Sequence, residues 1–308
     1  MYKKYLTSGT YINIPSGIDK DKIAPCRIRY NQKIYEYYGG AKQVRLYSKP
    51  LEKTLLERKK KKKKRKRDFE EEANIRDCPF MTEEEKEEEI EKLYKNTIDK
   101  EGSIKRSKSR TINSIYSIAR SNKWDYFFTL TLDPQKIDRT NYDEITKELK
   151  KWLNNLKHNY SRDLKYLIIP ELHKDGKSFH FHGLMSEIGD LTLQDSGKSY
   201  KNKVGDVVKI YNLKEYKLGF SNFQKVSKQE RVTKYITKYI SKELCAVTEG
   251  KKRYWASKNV NRPKVSVDMV NIDDEYMKMI IDCASYIKSV DLEGTKQIVT
   301  YVEIPGDD

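Results

Sequence analysis

Hydrophobic positions recur along this chain with a spacing that changes several times, and most regularly after about residue 110. Ile112, Ile115, Tyr116 and Ala119 repeat at helical intervals. Tyr126 to Leu132 is an aromatic and β-branched run ended by Asp133 and Pro134, which predicts a buried strand. Ile145, Leu149, Trp152 and Leu156 then mark one face of a helix, with Asn141 and Glu144 in a capping-box pattern at its start. Strands are expected over 166–169 and 179–185, joined by a turn over 174–177. A polar loop over 190–205 leads to short strands over 207–210 and 221–226. Val232, Ile236 and Ile240 predict one helix over about 228–244. The order strand, helix, hairpin, strands, helix implies an α+β fold. A central antiparallel sheet carries the 179–185 strand, and helices pack on it.

Outside this stretch the pattern weakens. Residues 1–57 are basic and rich in tyrosine, with short strands expected near 11–14 and 27–38. Residues 58–110 hold a basic run followed by an acidic one, the composition of a solvated helix or linker. The tail over 246–308 is mixed, with a helix expected near 275–288. The organisation expected is therefore an N-terminal region, a charged linker, an ordered domain over 111–245 and a C-terminal extension.

Composition adds a partner to this picture. Lys and Arg number 63 against 46 Asp and Glu, a net charge of +17, which favours a polyanion such as DNA or RNA. The densest charge is Lys59, Lys60, Lys61, Lys62, Lys63, Lys64, Arg65, Lys66 and Arg67, a candidate grip on DNA phosphates that the following acidic run could cover when DNA is absent. With 37% hydrophobic and 35% charged residues, a compact core cannot fill the whole length. Cys26, Cys78, Cys245 and Cys283 are scattered without a CxxC pair, so neither a cysteine zinc site nor a disulfide framework is expected. No apolar run approaches the ~20 residues of a membrane span, and the N-terminus lacks the apolar core of a signal peptide. A soluble protein of a reducing cytoplasm, without a membrane partner, is the expectation.

Two groups of residues carry candidate chemistry. In a strand, His180 and His182 point to the same face, so their imidazoles lie side by side. A hairpin turn through Lys174–Asp175–Gly176–Lys177 would bring Glu171 beside them, while His173 competes as third ligand. Two histidines and a carboxylate leave coordination positions open, a donor set suited to Mn²⁺ or Mg²⁺ acting on phosphate. In the second group, Tyr235, Lys238, Tyr239 and Lys242 follow one helical face. A phenol of pKa ~10 is a poor nucleophile at neutral pH, and a nearby ammonium together with a metal-polarised phosphate would assist it. Each tyrosine has its own lysine three residues on, so the sequence does not rank them.

These motifs together resemble the HUH endonuclease superfamily. Phe127–Phe128–Thr129–Leu130–Thr131 is similar to its first motif, His180–Phe181–His182–Gly183 to its second and Tyr235 to Lys242 to its third. Glu171 stands where the family places a carboxylate ligand. The resemblance covers about residues 111–245, and its two tyrosines look most like the replication proteins of single-stranded DNA bacteriophages. It implies a rolling-circle replication initiator in a bacterial host cell, which nicks and rejoins single-stranded DNA at an origin through a 5′-phosphotyrosine. The tyrosine follows the His pair, whereas the superfamily's conjugative relaxases usually place it before. Gly176-Lys-Ser and Gly197-Lys-Ser both lack the leading glycine of a phosphate loop, so unwinding is expected from a host helicase and extension from a host polymerase. Two other readings explain less. A two-tyrosine transposase of the same superfamily often carries cysteine-rich zinc motifs, and a nonenzymatic nucleic-acid binder leaves the His pair and the tyrosine helix without a role.

Overall fold

A computed structural model describes residues 2–5, 11–14, 27–54, 74–79, 81–95, 100–202, 205–292 and 295–306. The chain divides into two compact units. One comprises Met1–Glu36, Ala41–Ser103 and Lys264–Pro305, and the other Tyr37–Gly40, Ile104–Pro263 and Gly306–Asp308. Both are α+β with antiparallel strands, as the hydrophobic pattern predicts.

The first unit joins the two ends of the chain. Strands β1 (Tyr2–Tyr5) and β2 (Tyr11–Ile14) pair with each other. The long strands β3 (Arg27–Glu36) and β4 (Lys42–Thr54) pair with three strands from the far end of the sequence, β12 (Lys264–Asp268), β13 (Tyr286–Leu292) and β14 (Gln297–Ile304). Their order is β12-β3-β4-β14-β13. Val44, Leu46 and Val302 pack with Ile280 of the helix Asp274–Asp282 in a small core. That helix is shorter than the sequence pattern implies. Asp273 caps its start, Cys283 ends it, and Tyr286 to Leu292 continue as a strand. The acidic run forms helix α1 (Glu83–Lys95), which opens on a reciprocal cap: the Thr82 backbone N–H donates to Glu85 Oε2 at 2.9 Å, and the Glu85 N–H to Thr82 Oγ1 at 3.3 Å.

The second unit carries the candidate chemistry. It contains β5 (Tyr126–Leu132), β6 (Lys165–Leu172), β7 (Phe179–Ser186), β8 (Leu193–Lys201), β9 (Val207–Leu213), β10 (Gly219–Lys225) and the short β11 (Trp255–Ala256). These form one sheet in the order β11-β6-β7-β5-β10-β9-β8. Helix α2 (Lys100–Arg120) precedes β5, and α3 (Tyr142–Asn159) follows it. The Asn141 side chain accepts the Glu144 N–H, the N-cap that the sequence predicts for α3. Ile145, Leu149, Leu153 and Leu156 are buried along one side of α3, each contributing roughly 1.5–3 kcal/mol through burial. Tyr142 meets Phe179 edge-on at 5.0 Å, so α3 covers the face of β7 from which Phe179 and Phe181 point. His180 and His182 alternate with them onto the opposite face.

Two expectations change. Residues 190–205, expected as a loop, contain β8. It is an edge strand whose side chains are mostly exposed and whose register shifts between Asp195 and Ser199, around Gly197 at a φ of 71°. A polar edge of this kind carries no apolar alternation to read. The helix expected over 228–244 is interrupted: α4 (Gln229–Ile236) runs into a single 3-10 turn (Thr237–Tyr239) and stops. Ile240 takes a ψ of 89°, and Ser241 caps a new helix, α5 (Lys242–Val247), by accepting the Leu244 N–H at 3.0 Å. The serine cap competes with helix continuation, and this decides where the segment breaks. Val232, Ile236 and Ile240 are nevertheless buried, as their spacing predicts.

Candidate active site

The site is built on a strand register. In the β6–β7 pair Glu171 lies directly opposite His180, and in the β5–β7 pair Thr129 lies directly opposite His182. Directly paired residues share a face, so all four side chains rise from the same side of the sheet. The turn between β6 and β7 is fixed by Asp175, whose carboxylate accepts the backbone N–H groups of Lys177 and Ser178 at 2.9 Å each. Those bonds, with the Ser178 hydroxyl the first contributor, hold the Asp175 carboxyl well below its usual range.

Glu171 Oε2 receives both imidazoles. His182 Nε2 is 2.6 Å from it, His180 Nε2 is in contact with it, and the two Nε2 atoms are 2.9 Å apart. One ligand atom from each of Glu171, His180 and His182 thus converges on one point. The His173 ring lies 5.5 Å from that of His180, edge-on and outside this group. Burial, more than any other influence, holds the His182 pKa below its ordinary value and keeps the ring neutral. Burial alone would raise Glu171, but hydrogen bonds and charge from His182 and His180 outweigh it and leave the carboxyl below its usual value. A neutral imidazole and an ionised carboxylate are the protonation states that a divalent metal requires. Thr129 Oγ1 stands 3.0 Å from His182 Nδ1. When Nδ1–H donates to it, the Nε2 lone pair is directed to the shared point.

The tyrosine segment covers this face. The Tyr239 ring stacks on His182 with centroids 3.6 Å apart and planes 10° from parallel. Phe127, two residues before Thr129 and on the same face, stacks on His182 at 5.9 Å and meets the Tyr235 ring edge-on at 5.3 Å. Tyr235 and Tyr239 are one helical turn apart and touch edge-on at 5.4 Å. Lys238 Nζ sits 5.5 Å from the centre of the Tyr235 ring. Tyr239 is half-buried, and its phenol is pushed far above the usual value by burial first, then by its hydrogen bond with Tyr235, the Tyr235 charge and that of Glu171. Tyr235 remains 46% exposed. Lys242 falls beyond the break at Ile240 and Ser241, at the first position of α5, so the helical face expected to carry all four residues ends at Tyr239. Residues 59–67, the candidate phosphate grip, lie outside the described residues.

The sequence reading assigned no site role to Thr129 and Phe127. Their signal was the period-2 alternation Phe127, Thr129, Thr131, which places them on the face opposite Phe128 and Leu130. It also missed a groove of about 400 Å³ that runs from His182 and Tyr239 to the basic residues Lys225, Lys228 and Arg231.

Residues 125–244 match a family model of replication-associated proteins, the ORF2 type. The match contains Glu171, His180, His182, Tyr235, Lys238, Tyr239 and Lys242 and supports a role in initiating replication. No curated protein and no solved structure matches the chain.

Proposed function

We propose that this protein initiates rolling-circle DNA replication as an HUH-type endonuclease, nicking single-stranded DNA with a tyrosine and rejoining it. The observation that carries the reading is the stacking of Tyr239 on His182, within the group where Glu171, His180 and His182 converge. A nucleophile and a cation-binding donor set on one sheet face suit transfer at a phosphate. The similarity to replication-associated proteins supports the same substrate class.

The donor set fits Mn²⁺ or Mg²⁺, with nitrogen and oxygen donors in metal-ready protonation states. A divalent ion held by Glu171, His180 and His182 would offset the Glu171 charge and polarise a phosphate oxygen. The tyrosine hydroxyl oxygen bonds to phosphorus, and the bond from phosphorus to the 3′ oxygen breaks. The proton lost by the phenol is balanced by one gained on the 3′ oxygen. The product is a 5′-phosphotyrosine and a free 3′-hydroxyl, a primer for a host polymerase on a strand opened by a host helicase. Phosphodiester exchange conserves bond type, so the reverse step can close a circle. Lys238, beside the Tyr235 ring, stabilises negative charge on that phenol. Lys242 belongs to the same proposed machinery by its place in the motif.

The test is to incubate the full chain with Mn²⁺ and a randomised pool of single-stranded oligonucleotides and to look for a detergent-resistant protein–DNA adduct. The wild-type protein forms one, and the Tyr235→Phe/Tyr239→Phe double variant forms none while still binding DNA. A gel shift without any adduct, or an adduct mapped to Tyr254 in the double variant, would overturn the proposal.

A further inference from the structure

Beside the converging histidines, β10 presents a row of side chains that the nicking reading leaves without a task. Asn222 lies opposite Thr129, which itself lies opposite His182, so Asn222 faces the same side as the site. Phe220 and Gln224, two residues to either side, share that face. Phe220 is 79% exposed, the most exposed large hydrophobic side chain among the described residues, and its strand partner Thr131 is exposed as well. One exposed phenylalanine alone carries no argument. The rest of the row supplies one.

The Tyr200 hydroxyl donates to Gln224 Oε1 at 2.9 Å, and Gln224 Nε2 donates to Asn222 Oδ1 at 3.0 Å. This chain of bonds fixes both amides and leaves N–H donors for a base edge. The Tyr200 ring is 44% exposed on the floor of the groove, and Lys225, Lys228 and Arg231 line the same groove. The neighbouring carboxylate of Glu230 is engaged by Lys234 at 2.6 Å and so is drawn away from these three cations. Outward residues on a strand recur about every 6.8 Å, comparable with one extended nucleotide. Aromatic faces, fixed amides and cations at that repeat match unpaired bases joined by phosphates, whereas a duplex hides the base faces.

We infer that the outward row of β10, together with Tyr200, is a base-reading track for single-stranded DNA running alongside the tyrosine segment. Phe220 stacks one base. Tyr200, Gln224 and Asn222 stack on and hydrogen-bond another, and Lys225, Lys228 and Arg231 hold the phosphates between the groove and solvent. Only the identification of these bases as those flanking the cut rests on the nicking proposal. The track itself is a binding claim.

The experiment therefore excludes chemistry. The full chain in EDTA is titrated with a fluorescein-labelled pool of randomised single-stranded oligonucleotides and, separately, with a duplex pool. It is also photo-cross-linked to single strands carrying 5-iododeoxyuridine, and the sites are mapped by mass spectrometry. Cross-links at Phe220 and Tyr200 are expected. Phe220→Ala and Tyr200→Ala each weaken single-strand affinity about tenfold or more, the scale of one lost base stack, and Phe220→Tyr and Tyr200→Phe restore it. Duplex affinity stays unchanged. Gln224→Ala changes the preferred base in the sequences selected from the pool. Wild-type single-strand affinity in correctly folded Phe220→Ala and Tyr200→Ala, cross-links that map only elsewhere, or equal losses for duplex would each overturn the track. Metal-dependent adducts formed by those variants at the wild-type level and sequence preference would sink the track and leave the nicking proposal standing. Absent adducts with intact cross-linking would do the reverse.

Discussion

At the scale of single residues, the chemistry depends on which nitrogen of His182 faces Glu171. Thr129 engages Nδ1, so Nε2 is left for the shared point where His180 and Glu171 also aim. Removing one of three donors should weaken divalent-ion binding by at least tenfold. His182→Ala and Glu171→Gln are therefore expected to lose the Mn²⁺ binding isotherm in calorimetry and the covalent adduct, while single-strand affinity stays near wild type because charge supplies most of it. Wild-type Mn²⁺ affinity in either variant would remove the metal from the account. The two tyrosines divide differently. Tyr239 lies against the site but is half-buried, with its phenol shifted upward by burial, while Tyr235 is exposed beside Lys238. Tyr235→Phe and Tyr239→Phe should retain unequal amounts of single cleavage, and both should fail at the second transfer that closes a circle. Circle formation by either single variant at the wild-type rate would show that one phenol performs both transfers.

At the scale of elements, β7 must hold His180 and His182 without displacement, and Gly183 makes this possible. A Cβ at Gly183 would lie 2.2 Å from the Phe128 ring on β5, far inside contact distance. Gly183→Ala is expected to destabilise the second unit by about 1–3 kcal/mol, the usual cost of overpacking. In a denaturant melt, Phe128→Leu in the same chain should recover part of that loss. A Gly183→Ala protein as stable as wild type would mean that β5 and β7 can move apart freely. The tyrosine segment obeys another local rule. Ser241 competes with helix continuation and caps the next helix, so Tyr235 and Tyr239 stay on one short helical piece and Lys242 starts another.

At the scale of the whole molecule, charge and connectivity matter most. The +17 surplus is spread along the chain, but no stretch is denser than residues 59–67. Neutralising these positions should lower single-strand affinity and flatten its salt dependence by up to about 0.7 in the log–log slope for each phosphate no longer neutralised. The cleavage position should not move, since holding phosphates positions a protein without specifying sequence. An unchanged slope would assign the block to a different partner. Among the described residues no helix is long and apolar enough to cross a membrane. Connectivity is the less expected property: the two ends of the chain meet in one five-stranded sheet around Val44, Leu46, Ile280 and Val302.

What the sequence determined by itself is local. Alternation in Phe127, Thr129, Thr131 and in His180, His182 placed these residues on one face of their strands, because side chains in a strand have a period of two regardless of what surrounds them. The turn around Asp175 and Gly176 was legible from its turn-forming residues, and with it the return of Glu171 to His180. The spacing of Val232, Ile236 and Ile240 marked the docking face of the tyrosine segment. Tertiary structure alone decided the rest. Stacking of Tyr239 on His182 joins residues 57 positions apart and depends on how α4 lies on the sheet, which no periodicity encodes. The strand β8 has a polar surface because one edge of it meets only water, so its sequence reads as a loop until β9 pairs with it. The union of the chain ends is a long-range pairing of β4 with β14, and strand partners are chosen by the register and burial of the assembled sheet rather than by either strand alone.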